Sequence, residues 1–254
     1  MIKLDSRNNF LIYSTGDNFE NKSIKNILEH MLTEFDLIFT DSLTTIKECN
    51  LFKDPNSDCP MLITNDPNSL KIRLSLESYT NWCQCVYQLS HELCHYILNQ
   101  TSNGKETLKW FEETLCEAMS LYILDFFHET WSDCTLSYND PKYKQHFKTY
   151  LDDIVKLSPT NGLSKCTTID DLILINFNSE RDRSDRISER NYLFELFNSY
   201  KNKGNKEKIS LIKDYQKYIS SNGITIDFDK WYKDTGEDFI QKLSKIQPIQ
   251  NIDF

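Results

Sequence analysis

The sequence predicts an α+β fold: a small, mostly antiparallel N-terminal sheet packed on one long helix, followed by a mainly helical C-terminal half. Three observations lead there. Short apolar runs before residue 77 are punctuated by Gly, Pro, Asn and Asp, as strands and their turns are. Leu70, Ile72, Leu74 and Leu76 alternate with Lys71, Arg73, Ser75 and Glu77, a period of two with one buried face. From Trp82 to Leu98 there is neither Pro nor Gly, and Val86, Leu89, Leu93 and Ile97 recur at helical spacing.

Taken in order, Asn9–Thr15 reads as a short strand ended by Gly16-Asp17. Ile24, Ile27, Leu28, Met31, Leu32 and Phe35 then mark an amphipathic helix, in which His30 reads as packing rather than as a ligand. Strands are expected near Leu37–Thr40 and Thr44–Cys49, and a loop over Phe52–Pro60. Met61–Thr64 is a short apolar run stopped by Asn65-Asp66-Pro67-Asn68, and Ser78 or Thr80 can cap the long helix. After a turn at Asn103-Gly104, the broad apolar face of Trp110, Leu115, Met119, Tyr122, Ile123 and Phe126 predicts a second long helix over Leu108–Trp131. Further helices are expected at Tyr143–Leu157, Ile169–Phe177, Ile187–Tyr200 and Glu207–Ser220, with a turn at Asn222-Gly223 and a last helix over Trp231–Ile246. The mixed-sign run Glu180–Arg186 reads as a solvated helix start. A division into a core, residues 1–135, and a helical subdomain, residues 136–254, fits this order.

Composition narrows the classes of function. With 254 residues, 39% hydrophobic and 26% charged, the chain has the make-up of an ordinary globular protein. A net charge of -9 excludes a nucleic acid as the natural partner, since affinity for phosphate backbones comes from clustered Lys and Arg. No run approaches the roughly 20 apolar residues that span a bilayer, and Leu121–Leu124 is broken by Asp125, so no membrane role is expected. The N-terminus lacks the apolar core of a secretory signal, which makes the cytoplasm the expected location. Eight scattered cysteines, with no C-x-x-C pair, then read as reduced thiols rather than disulfides or a structural zinc site.

One pattern carries chemistry. His91-Glu92-Leu93-Cys94-His95 is His-Glu-x-x-His, which on a helix sets two imidazoles one turn apart on the same face. Such a pair can share one zinc ion, with Glu92 beside it to move protons. A catalytic zinc needs a third protein ligand and an open position. Glu113, on the next helix, is the expected third ligand; Glu112 lies about 100° around that helix and faces elsewhere. Glu117, one turn further on the same face as Glu113, can accept a hydrogen bond from the free nitrogen of a ligating histidine.

With His91-Glu92-x-x-His95 followed by Glu113-x-x-x-Glu117, the chain resembles the gluzincin metallopeptidases and, more loosely, the intracellular ImmA/IrrE-type peptidases. The likeness spans roughly residues 70 to 125 and departs from the second family at Cys116 and Glu117, where small and Asn or Asp residues are usual. It implies a zincin-type helix, one Zn2+ per chain on His91, His95 and Glu113, Glu92 as general base, Glu117 as a support behind the ligands, and a peptide or protein substrate. No Gly-x-x-His follows His95, which excludes the metzincin pattern. The edge of the strand Leu70–Glu77 is a place to hold an extended peptide. The group stabilising the oxyanion stays open among Tyr122, His128, Tyr138, Tyr143 and His146. The alternative function is a non-catalytic, zinc-braced binding or regulatory module, for which a fourth protein ligand such as Cys94, Cys116 or Glu117 would speak.

Overall fold

The computed structural model describes residues 1–40, 47–64, 69–100, 107–159, 162–180 and 182–248. The expected strand residues Thr44–Ile46, the stop at Asn65–Asn68, the turn at Asn103-Gly104 and Arg181 of the charged run lie outside them. By internal packing the chain forms two compact units, Met1–Gln100 with Met119–Ile154, and Thr101–Ala118 with Val155–Phe254.

The first unit is built on a five-stranded sheet: β1 (Ile2–Lys3), β2 (Phe10–Ile12), β3 (Glu48–Lys53), β4 (Met61–Ile63) and β5 (Ser69–Leu74), in the order β1-β2-β3-β5-β4. The α+β class and the order of sheet before helices are as the sequence predicts, but the sheet is mixed rather than mostly antiparallel. β2 and β5 both run parallel to β3, while β1 and β4 pair antiparallel at the two ends. The reason is α1 (Asn18–Phe39), which carries the chain from the end of β2 back to the start of β3. A helical crossover of that kind makes its two strands parallel.

Asp17 starts α1 by accepting from the Phe19 and Glu20 amides at 2.7 and 2.9 Å, and Gly16, with φ 86°, turns the chain into the cap. Ile24, Ile27, Leu28, Met31, Leu32 and Phe35 are all buried. Leu37–Phe39 is not a strand: Ile38 and Phe39 continue the same buried stripe, and the helix runs on through them. Phe52 and Lys53 extend β3 into what reads from sequence as loop.

β5 alternates as its sequence requires, with Leu70, Ile72 and Leu74 buried. Behind it comes α2 (Trp82–Gln100), then α3 (Lys109–Thr130) and α4 (Lys144–Val155). The expected free edge at β5 is absent: β3 lies on one side of it and β4 on the other, so the outer strand at that end is β4.

The second unit holds α5 (Ile169–Asn178), α6 (Ile187–Asn202), a run of 3-10 turns over Lys206–Tyr218, α7 (Phe228–Thr235) and α8 (Asp238–Leu243), together with the first ten residues of α3. Trp110 anchors α3 here, its indole donating to the Ile224 carbonyl at 2.9 Å. The single helix expected over Trp231–Ile246 is two, because Gly236 takes the left-handed conformation (φ 68°) and ends α7. No disulfide joins the cysteines, and among the described residues no helix is long and apolar enough to cross a membrane.

Candidate metal centre

The helix that carries the motif is fixed to the sheet and to α1 before it reaches His91. Gln88 lays its side-chain amide along the end of β5, accepting from the Ser75 amide at 2.8 Å and donating to the Ser75 carbonyl at 2.9 Å. It therefore supplies both bonds that a further strand residue would have supplied. Trp82 donates from its indole to Ser23 on α1 at 3.2 Å, and Tyr96 reaches the Lys47 carbonyl at 2.7 Å. Val86, Leu89, Leu93 and Ile97 are buried as their spacing predicts. The other faces of α2 are covered as well, so that His91 and Glu92 are each only 3% exposed.

His91 and His95 meet as the i, i+4 spacing demands. Their rings stand 4.8 Å apart between centroids, and their Nε2 atoms are separated by 3.2 Å. Two imidazole nitrogens bound at tetrahedral angles to one zinc, each at about 2.0–2.1 Å, stand about 3.3 Å apart. The pair is thus already at the separation that a shared ion requires. One carboxylate oxygen of Glu113 completes a group in which all the ligand atoms lie within 4.8 Å of one another. Two imidazoles and a carboxylate form a donor set that suits zinc. Among the described residues the group has three members; Cys94, Cys116 and Glu117 are not in it.

The surroundings of the carboxylates on α3 are what sequence reading missed. Glu117 is completely buried, and its partners are arginines. Arg186 donates to its Oε1 at 2.6 Å, Arg190 stands 3.5 Å from its Oε2, and Arg183 lies 4.0 Å away. Spacing alone suggested an imidazole partner for Glu117; the partners in the structure are guanidinium groups. The run Glu180–Arg186 is accordingly not a simple solvated helix start, because Arg186 is 0% exposed. Its Nη1 donates to the Asp182 carbonyl at 2.8 Å, while Nη2, the atom that bonds Glu117, also stands 3.7 Å from Oε2 of Glu113. A signal for this was present in the sequence. Arg186 and Arg190 are spaced i, i+4, as are Glu113 and Glu117, so the start of one helix can set two cations against two carboxylates of another. Glu112 faces another way, as expected, and takes a hydrogen bond from Tyr215 in the buried interior.

The side groups considered for an oxyanion have other employment. Tyr122 is buried and donates to Glu34, and burial pushes its phenol well above the usual range. Nδ1 of His128 lies 3.0 Å from the Lys144 carbonyl, while Tyr143 packs against Trp82, Trp131 and Phe147. Tyr138 is 87% exposed, and His146 is exposed too. His30 is packing, as expected: it stacks on Phe126 at 5.0 Å and pairs with Thr130, and burial lowers its pKa. Compared with known proteins, the chain matches no family model, no curated protein and no solved structure.

Proposed function

We propose that this chain is a zinc-dependent peptidase of the gluzincin kind, acting on a peptide or protein in the cytoplasm. The observation that carries the reading is the convergence of His91, His95 and Glu113 beside Glu92. Among the described residues the group has three protein donors, the number that a catalytic zinc site uses. Bound there, zinc supplies Lewis acidity, lowering the pKa of a water to about 7 and polarising the carbonyl under attack.

The chain's own residues do the rest. Glu92, adjacent to His91 and almost fully withdrawn from solvent, takes the proton of the attacking water and hands it to the leaving amine. Its burial keeps bulk water from competing for that proton. The substrate backbone pairs with β4, the outer strand beside β5, which also packs against α2. A peptide added along that edge is held extended by main-chain hydrogen bonds.

The test combines metal analysis with a peptide-library cleavage screen. The protein purified without chelator is expected to hold about one zinc per chain. Glu92→Gln is expected to keep that zinc and to lose hydrolysis by at least about a hundredfold, the size of a typical general-base contribution. A parent chain that neither carries nor takes up zinc overturns the reading. Stoichiometric zinc with no cleavage by the parent favours the non-catalytic, zinc-braced module instead.

A further inference from the structure

The cluster around Glu117 has a role that the zinc ligands and the base do not explain. Burying a guanidinium completely is costly unless its charge and donors are matched. Arg186 is buried in that way, and it is shared unequally: its NH2 group sits 2.6 Å from Glu117 and 3.7 Å from Glu113. The first contact is a close, charge-assisted hydrogen bond, and the second is a looser ion pair. Glu117 has no exposed side-chain surface, whereas Glu113 keeps 14%. One guanidinium thus joins the two carboxylates of the Glu113-x-x-x-Glu117 stripe and grips the inner one harder.

We propose that Arg186 is the positioning residue for the third metal ligand: clamped to Glu117, it holds one oxygen of Glu113 and leaves the other side of that carboxylate for the ion. This rests on the zinc-site reading above. A glutamate side chain otherwise has several rotamers to lose on binding a metal, and a fixed fork removes that loss beforehand. An arginine near a dication would normally repel it. Here Glu117, at 2.6 Å, offsets the charge of Arg186, and Glu113 brings a second carboxylate to the same guanidinium. Arg190 at 3.5 Å and Arg183 at 4.0 Å also face Glu117 and hold it from further sides.

The position of Arg186 is itself enforced by the backbone. It ends a single 3-10 turn over Ser184–Arg186, directly before α6 begins. Gly162 packs so closely on that turn that a Cβ there would come within 2.6 Å of the Asp185 carbonyl oxygen. The backbone at Gly162 thus lies directly against the turn that presents Arg186 to α3.

The experiment titrates Co2+ into metal-stripped full-length protein and follows both its dissociation constant and its visible spectrum, which reports the ligand set. Arg186→Lys keeps the charge but loses the planar group whose Nη1 is tied to the Asp182 carbonyl while Nη2 faces both carboxylates. Glu117→Gln keeps the shape but frees Arg186 to compete with the ion for Glu113. Each is expected to weaken Co2+ binding 10- to 100-fold and to change the spectrum, the usual consequence of losing an outer partner of a ligand. Glu112→Gln, which removes a neighbouring buried charge on the same helix, is expected to bind within about twofold of the parent, well inside the range that loss of such a partner causes. Circular dichroism and urea unfolding identify the folded variants, and if Arg186→Lys does not fold, Glu117→Gln decides. Parent-like affinity and spectrum in a folded variant of either kind overturn the assignment of Arg186 while leaving the zinc site standing. A parent that binds no Co2+ overturns both.

Discussion

α2 and α3 each bring acid or imidazole groups to the candidate centre, yet they keep them in place by opposite means. On α2 the arrangement is local. His91 and His95 share a face because of helix pitch, and Gln88, one turn earlier, ties that stretch to β5. On α3 the arrangement is long-range. Glu113 and Glu117 are one turn apart, but the cations that hold them come from Arg186 and Arg190, about seventy residues later in the chain. A pair of imidazoles can be organised by a helix alone, whereas a buried carboxylate needs a partner that only folding delivers.

Four substitutions separate the local arrangement on α2 from the long-range one on α3. The largest effect is expected at His95→Ala, which removes one half of the local pair. Zinc affinity should fall by more than about a hundredfold, beyond what loss of an outer partner costs, and equilibrium dialysis measures it. Next comes Glu117→Leu, which leaves Arg186 and Arg190 buried without their shared anion. Breaking a buried pair in this way costs about 3–5 kcal/mol, read as a lower urea midpoint; an unchanged midpoint would mean that the cluster is not needed for folding.

Gln88→Ala probes the local side. It strips the Ser75 amide and carbonyl of their partners, and two such losses cost about 1–3 kcal/mol in total. Faster hydrogen exchange confined to residues 72–76 would show that the tether fixes the end of β5. The smallest effect concerns Glu189, whose carboxyl is pushed above its ordinary range by burial. A folded pKa that lies above the unfolded one favours the protonated form in the native state. Stability from this group is therefore full below about pH 4.3 and is lost as pH rises through the folded value. Glu189→Gln should melt about 2–4 °C higher than the parent at pH 7 for each kcal/mol relieved, and should melt with it at pH 4.

Much of the centre was readable in advance. Helical and strand periods located β5, α2 and α3 to within a few residues, and α1 by its buried stripe but not by its ends, since each buries one stripe whose spacing is set by backbone geometry. Glu113 could be separated from Glu112 by the rotation of 100° per residue, and Glu112 does turn away to Tyr215. Strand direction was not readable, because period-two patterning is the same in parallel and antiparallel neighbours. Nor was the edge: the alternation of β5 says which face is buried and nothing about which strands lie beside it.

From the sequence alone follow the sheet before the helices, the two histidines on one turn and the carboxylate between them, since these depend on distances along the chain that backbone geometry converts directly into space. Only the folded chain settles that β4 closes the sheet and that Arg186 leaves the surface to hold two carboxylates. A charged run looks equally solvated whether its arginine faces water or a buried glutamate. Only the folded chain supplies the counter-charge that makes burial of that guanidinium tolerable.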